Sequence, residues 1–215
     1  MTLFRAAMTL ALGLAVAGCG SDSCASGSGR IVSQTLDLSS VTGLDFQVGG
    51  DLTVVPGATQ QVVVRSQQNV IDLLNTDVIN GIWEIGYTEC VEGINEFSVA
   101  ITLPELESVE LSGAGTIDAE TQSDAIETIL SGAGTVTLSG ETTSQQVLLE
   151  GSGTIEAFDL TSAETSVVLT GQGTVNVTAT DQLDVDLLGA GTVAYKGDPQ
   201  LDLSVTGVGR VVDAN

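Results

Sequence analysis

Three cysteines and no histidine set the chemistry open to this 215-residue chain. Cys19 closes the run Val16-Ala17-Gly18-Cys19, behind an apolar stretch from Met8 to Val16 that Arg5 precedes. Small residues before a cysteine at that place form a lipobox. In this reading the Cys19 thiol is joined to diacylglycerol, and cleavage makes Cys19 the mature N-terminus. The alternative is an ordinary signal peptide with a chance cysteine. The apolar run is too short to span a bilayer, and nothing later in the chain is long and apolar enough. Residues 1–18 are therefore read as a lipoprotein signal peptide, and a cell-envelope location follows. Acyl chains such as palmitate contribute ~0.8 kcal/mol per buried methylene, so several of them would hold the protein firmly at a membrane. Gly20 follows the cysteine where an Asp would favour inner-membrane retention, so the outer membrane is the preferred location.

Cys24 and Cys90 remain. In an oxidising compartment they could pair, or they could stay as two free thiols. Carboxylates spaced two apart are the other reactive groups: Glu105 and Glu107, Asp118 and Glu120, Asp184 and Asp186. On a strand each pair shares one face and could flank a sugar or a cation. Polysaccharide cleavage would also need a nearby base, and only Lys196 and Arg210 lie in that half of the chain. Without histidine there is no Ser-His-Asp or Cys-His system and no imidazole metal site. No catalytic residue, cofactor or dedicated metal site is expected, although weak surface calcium binding stays open.

Beyond residue 18 the chain holds 4 basic against 28 acidic residues. Such a surface repels nucleic acid and anionic headgroups. The acids are spread, as in a solubilising surface.

One motif recurs six times: Gly113-Ala-Gly-Thr-Ile117, Gly132-Ala-Gly-Thr-Val136, Gly151-Ser-Gly-Thr-Ile155, Gly171-Gln-Gly-Thr-Val175, Gly189-Ala-Gly-Thr-Val193 and Gly207-Val-Gly-Arg-Val211. Its first glycines are 19, 19, 20, 18 and 18 residues apart. Two residues before them stand Leu111, Leu130, Leu149, Leu169, Leu187 and Val205, and four after them only Ile or Val. Apolar residues keep to even offsets and polar ones to odd offsets, which is the period of a strand. Each repeat then reads as one coil: strand, Gly-x-Gly bend, strand, polar turn such as Thr121–Asp124 or Thr180–Gln182. One coil cannot bury its apolar edge, whereas coils stacked ~4.8 Å apart form continuous aliphatic ladders. Both glycines fall on the inward phase, where a corner leaves no room for a side chain. An antiparallel sandwich is the competing arrangement. Between two strands, with no lysine following, the Gly-x-Gly is no phosphate cradle.

Residues 31–103 are less regular. Leu44, Phe46, Val48, Leu52 and Val54 alternate around Gly49-Gly50 as a degenerate coil. Asn69 to Asn75 suits one helical turn, Val78 to Tyr87 a hairpin around Asn80-Gly81, and Phe97 to Leu103 a strand stopped by Pro104. Residues 19–30 read as a flexible tether and 31–215 as one domain, with regular coils from about residue 107. The segment Leu44–Val54, the strand Asn80–Ile85 and the serial Ser/Thr-Gly-x-Gly-Thr-Val/Ile coils resemble the auto-transporter adhesin head domain, the GIN domain family of bacterial envelope proteins. The resemblance covers about residues 31–212. It implies an all-β, right-handed parallel β-helix, an exported and often lipid-anchored location, and no established biochemical activity or transferable catalytic residue.

Ile129, Leu148 and Val168 depart from the polar outward pattern, three residues before the motif in consecutive coils. Either the N-terminal strands or a loop cover them, or they form a face for a partner or for self-association. The leading expectation is a non-enzymatic, lipid-anchored surface or periplasmic adhesion module. It would engage the membrane through its anchor, together with an envelope protein or glycan. The alternatives are a self-associating envelope assembly protein and a polysaccharide-active β-helix enzyme.

Overall fold

A computed structural model describes residues 24–215. The signal peptide read over 1–18 and the lipid-site residue Cys19 lie outside the described residues.

The repeats form strands stacked in parallel, as period-two alternation requires. These are β10 (Ser108–Leu111), β11 (Thr116–Thr121), β12 (Ala125–Leu130), β13 (Thr135–Leu149), β14 (Thr154–Leu169), β15 (Thr174–Leu187), β16 (Thr192–Lys196), β17 (Gln200–Val205) and β18 (Arg210–Asp213). Segments before each glycine pair stack into a first side, for example Leu111 on Leu130, Leu130 on Leu149 and Leu149 on Leu169. Segments after the pair form a second side, with Ile117 on Val136 and Val136 on Ile155. The architecture is a parallel β-solenoid and not a sandwich. Leu111, Leu130, Leu149, Leu169 and Leu187 are all 0% exposed, so the ladder is continuous. Each such leucine contributes roughly 1.5–3 kcal/mol of burial.

The polar turns differ from expectation. The turn at Thr121–Asp124 is real, but β13, β14 and β15 run unbroken through the equivalent stretches, including Thr180–Gln182. Gly140 pairs with Leu160 and Ser162 with Ala179 there, so later coils have a third, strand-paired side. Leu160, Ser162 and Ala179 point inward and are fully buried. Stacked neighbours supply the ladder bonds that an isolated coil would lack, and a polar sequence can follow them as strand.

The glycines also have a different cause from the one expected. A Cβ at the second glycine would meet both backbone and an interior side chain of the preceding coil: the Gly134 carbonyl oxygen and Leu130 at Gly153, and Phe46 and the Gly50 carbonyl oxygen at Gly115. A Cβ at the first glycine would point along the stack into backbone, as Gly132 would into the Gly113 carbonyl oxygen. Close stacking demands this glycine more than the corner does.

The N-terminal part comprises β1 (Ala25–Ser26), β2 (Ile31–Leu36), β3 (Gly43–Phe46), β4 (Asp51–Pro56), β5 (Gln61–Gln67), α1 (Gln68–Ile71), β6 (Val78–Ile79), β7 (Ile82–Ile85), β8 (Val91–Glu92) and β9 (Ser98–Leu103). Its coils do not stack in chain order. The β3–β4 coil lies between the β7–β9 coil and the first regular coil, β10–β11. Antiparallel strands close this end: β5 and β2 beyond β9, and β6 beyond β7. The β6–β7 turn has positive φ at both Asn80 (53°) and Gly81 (83°), as a tight Asn-Gly hairpin requires. Segment 31–103 therefore caps the stack end-on and does not cover its sides. At the other end Leu201, Leu203 and Val205 of β17 are 45%, 43% and 47% exposed, with no described strand beyond them.

Candidate functional site

The outward residue three before each regular Gly-x-Gly pair belongs to one unbroken column across the first side, which continues into the irregular coils. From the capped end it runs Glu84, Asp45, Glu110, Ile129, Leu148, Val168, Asp186, Ser204, each in register with the next. Alternation turns all of these away from the core. Ile129, Leu148 and Val168 are half-buried by their neighbours and lie under no other segment. Three strands at ~4.8 Å spacing make this an apolar stripe roughly 10 Å long. The structure thus brings together the three stripe residues proposed from sequence. The corresponding outward column on the second side is Thr116, Thr135, Thr154, Thr174 and Thr192, which is polar throughout.

The acids that continue the stripe toward the cap were missed in the sequence, because they come from coils stacked out of chain order. The Ser112 hydroxyl lies 3.2 Å from Asp45 Oδ1 and 3.4 Å from Glu110 Oε1, so two carboxylates share one proton donor. Burial pushes the Glu110 carboxyl above its ordinary value, and the charges of Asp45, Glu127 and Glu150 push the same way against that Ser112 bond. The first side therefore presents an acid cluster beside an aliphatic stripe.

Glu105 and Glu107, Asp118 and Glu120, and Asp184 and Asp186 are all exposed. The Lys196 ammonium sits 4.3 Å over the Phe158 ring, committed to an aromatic face. No group of three or more metal-ligating side chains is assembled among the described residues. The middle amide of the Gly-x-Gly bend donates along the stack: Ala133 N–H to Gly113 O at 3.3 Å and Ser152 N–H to Gly132 O at 3.2 Å.

Cys24 and Cys90 form a disulfide, with Cα atoms 4.7 Å apart. β1 pairs with β8 beside it, and Asn69 holds the same segment through Ser28 N–H and Ser26 O, each at 2.9 Å. The tether expected over 19–30 is therefore tied down from Cys24 onward. No helix among the described residues is long and apolar enough to cross a membrane.

The fold recurs in solved structures. A putative adhesin from Bacteroides fragilis superimposes with a TM-score of 0.69 at 19% identity, over 87% of this chain and 98% of that one. A putative lipid binding protein from Parabacteroides distasonis gives 0.54 at 18% identity, over 90% and 100%. A putative adhesin from Parabacteroides merdae gives 0.51 at 19%, over 88% and 98%. At such identities the likeness is one of fold. No curated protein sequence matches the chain. A family model does match, over residues 40–199, spanning both irregular coils and all but the end of the regular stack. The chain belongs to the family described as "Putative auto-transporter adhesin, head GIN domain".

Proposed function

We propose that this protein is a lipid-anchored, non-enzymatic binding module of the bacterial cell envelope that engages an envelope protein or glycan through the first side of its solenoid. The observation that carries the reading is the registered stripe Ile129–Leu148–Val168, half-buried on a wall whose other outward residues are mostly polar. With each residue no more than about a third exposed, the stripe offers on the order of 200 Å² at most, which contributes up to a few kcal/mol when covered, at ~25 cal/mol per Å². That is enough for an anchor point, with the surrounding hydroxyl and carboxylate rows as a polar rim. Membership of an adhesin family supports the binding role. Anchoring rests on Val16-Ala17-Gly18-Cys19, and the preferred location is the outer membrane.

The test is binding of the immobilised mature protein to purified envelope polysaccharides and to individual envelope proteins. Binding should fall at least several-fold in Leu148→Lys, with the melting transition retained. Equal binding by both proteins would remove the stripe from the site. A second reading, self-association, draws on the exposed Leu201, Leu203 and Val205 of the last coil. Sedimentation across a concentration series separates the two, since only that reading expects oligomers sensitive to Leu203→Lys and indifferent to Leu148→Lys.

A further inference from the structure

The capped end is where the chain enters the fold. Cys24 and β1 are joined to Cys90 and β8, which lie in the long bend between β7 and β9 in the end coil of the stack, and Asn69 of α1 grips Ser26 and Ser28 from the cap. Only residues 20–23 separate this lock from Cys19, five residue steps from Cys19 to Cys24. Five extended residues span at most ~18 Å. From β7 to β17 the first side is eight strands deep, which places the last coil ~34 Å beyond the cap.

Charge sets the attitude of a body held at one end. Residues 24–104, which build the capped end, contain nine acidic and two basic residues. Residues 105–215, which build the rest of the stack, contain eighteen acidic and two basic. Laying the solenoid flat would bring its more acidic length within the ~10 Å range over which an anionic headgroup layer acts. We infer that the Cys24–Cys90 disulfide fixes which end of the protein meets the membrane: the capped end lies at the lipid surface and the coils stand away from it, last coil outermost. This rests on the lipid-anchor reading. It makes the capped end the lipid-facing surface and leaves the first side and the last coil open to partners.

The experiment uses the full lipidated protein, oxidised, in vesicles of phosphatidylethanolamine and phosphatidylglycerol that carry an acceptor dye on lipid headgroups. A donor dye is placed through Asp77→Cys, exposed beside β6 at the cap, or through Asp198→Cys, exposed in the turn before β17. Energy transfer should be several-fold higher from position 77 than from 198. Equal transfer, or more from 198, would overturn the orientation. If the protein fails to float with the vesicles, the lipid-anchor reading falls and this inference falls with it. Replacing both cysteines, Cys24→Ala with Cys90→Ala, leaves only the two-residue β1–β8 pairing and Asn69 to hold the link and should shrink the contrast. An undiminished contrast in that variant would overturn the role given to the disulfide, and the measurement on the oxidised protein stands even if the variant folds poorly.

Discussion

Gly151 lies directly over the carbonyl oxygen of Gly132, with no space between them for a methyl group. The same oxygen accepts the Ser152 amide at 3.2 Å, so the coil cannot lift without losing a ladder bond. Gly151→Ala must therefore push two coils apart. Overpacking of this kind typically costs 1–3 kcal/mol, and rigid backbone on both sides sets the upper end of that range as the expectation here. Ser152→Ala, on the exposed middle residue of the same motif, should change stability by less than about 0.5 kcal/mol. Urea melts of the two variants check the contrast.

Phase along the strand gives a second contrast at adjacent positions. Leu149 is 0% exposed, stacked between Leu130 and Leu169, while Glu150 faces solvent. Leu149→Asp buries a carboxylate with no partner and should prevent accumulation of folded protein. Glu150→Lys should stay within about 0.5 kcal/mol of the parent. Equal tolerance at the two positions would refute the inward assignment of the leucine ladder.

The difference between what could be read in the sequence and what could not follows the same physics. Alternation and constant spacing fix the stacking of Leu111, Leu130, Leu149 and Leu169, because a one-residue slip would turn every leucine to solvent. Nothing in a repeat states which coil lies beneath the first one. The placement of β7 and β9 below β3 and β4 depends on fit between degenerate strands, so the column from Glu84 through Asp45 to Glu110 stayed hidden. The stripe was legible because it lies wholly within regular coils. The third side was misread as turns because Thr180, Asp181 and Gln182 look like loop residues, yet the coils on either side supply ladder partners.

The acid end of the column makes stability depend on pH. The Glu110 carboxyl is raised in the folded state, chiefly by burial and then by Asp45, Glu127 and Glu150. A raised carboxyl means that the native chain binds the proton more tightly than the unfolded chain. Its contribution is present below the ordinary value of 4.5 and is lost as pH rises through the folded value. Glu110→Gln should therefore melt at a higher temperature than the parent at pH 7 and at a similar temperature at pH 4. The gain should be small, because the side chain is largely solvated. A variant less stable at pH 7 would show that the carboxylate's bond to Ser112 outweighs the repulsion.

The disulfide closes a loop across a sequence separation of 66 residues. Loop-closure entropy alone predicts a stabilisation of about 4 kcal/mol for a loop of that size. Reduction, or Cys24→Ala with Cys90→Ala, should lower stability by that order. The loss should centre on the cap, with faster amide exchange in β1, β8 and residues 87–97 and little change in β13 to β15. Uniform loosening of the whole stack would mean that the cap and the coils unfold as one cooperative unit.

The stripe allows a prediction that separates packing from function. Leu148 has Ile129 on one side and Val168 on the other, and all three are only half-buried, because the N-terminal strands close the end of the stack and pair with none of the strands that carry the stripe. A lysine at 148 can lay its methylene stem along the same neighbours and keep its ammonium in water. The Glu127 and Glu150 carboxylates flank the position on the same wall, which favours a positive charge there. Leu148→Lys should therefore cost no more than about 1 kcal/mol of folding stability. A loss of several kcal/mol would show that the stripe is packing for the fold itself, and the binding role given to it would be withdrawn. With stability retained, Leu148→Lys and Val168→Lys should weaken partner binding alike, because one column makes one contact. Thr154→Lys on the second side should leave binding unchanged. If Thr154→Lys weakens binding equally, the contact is made by the second side or by net charge, and the stripe is not its site.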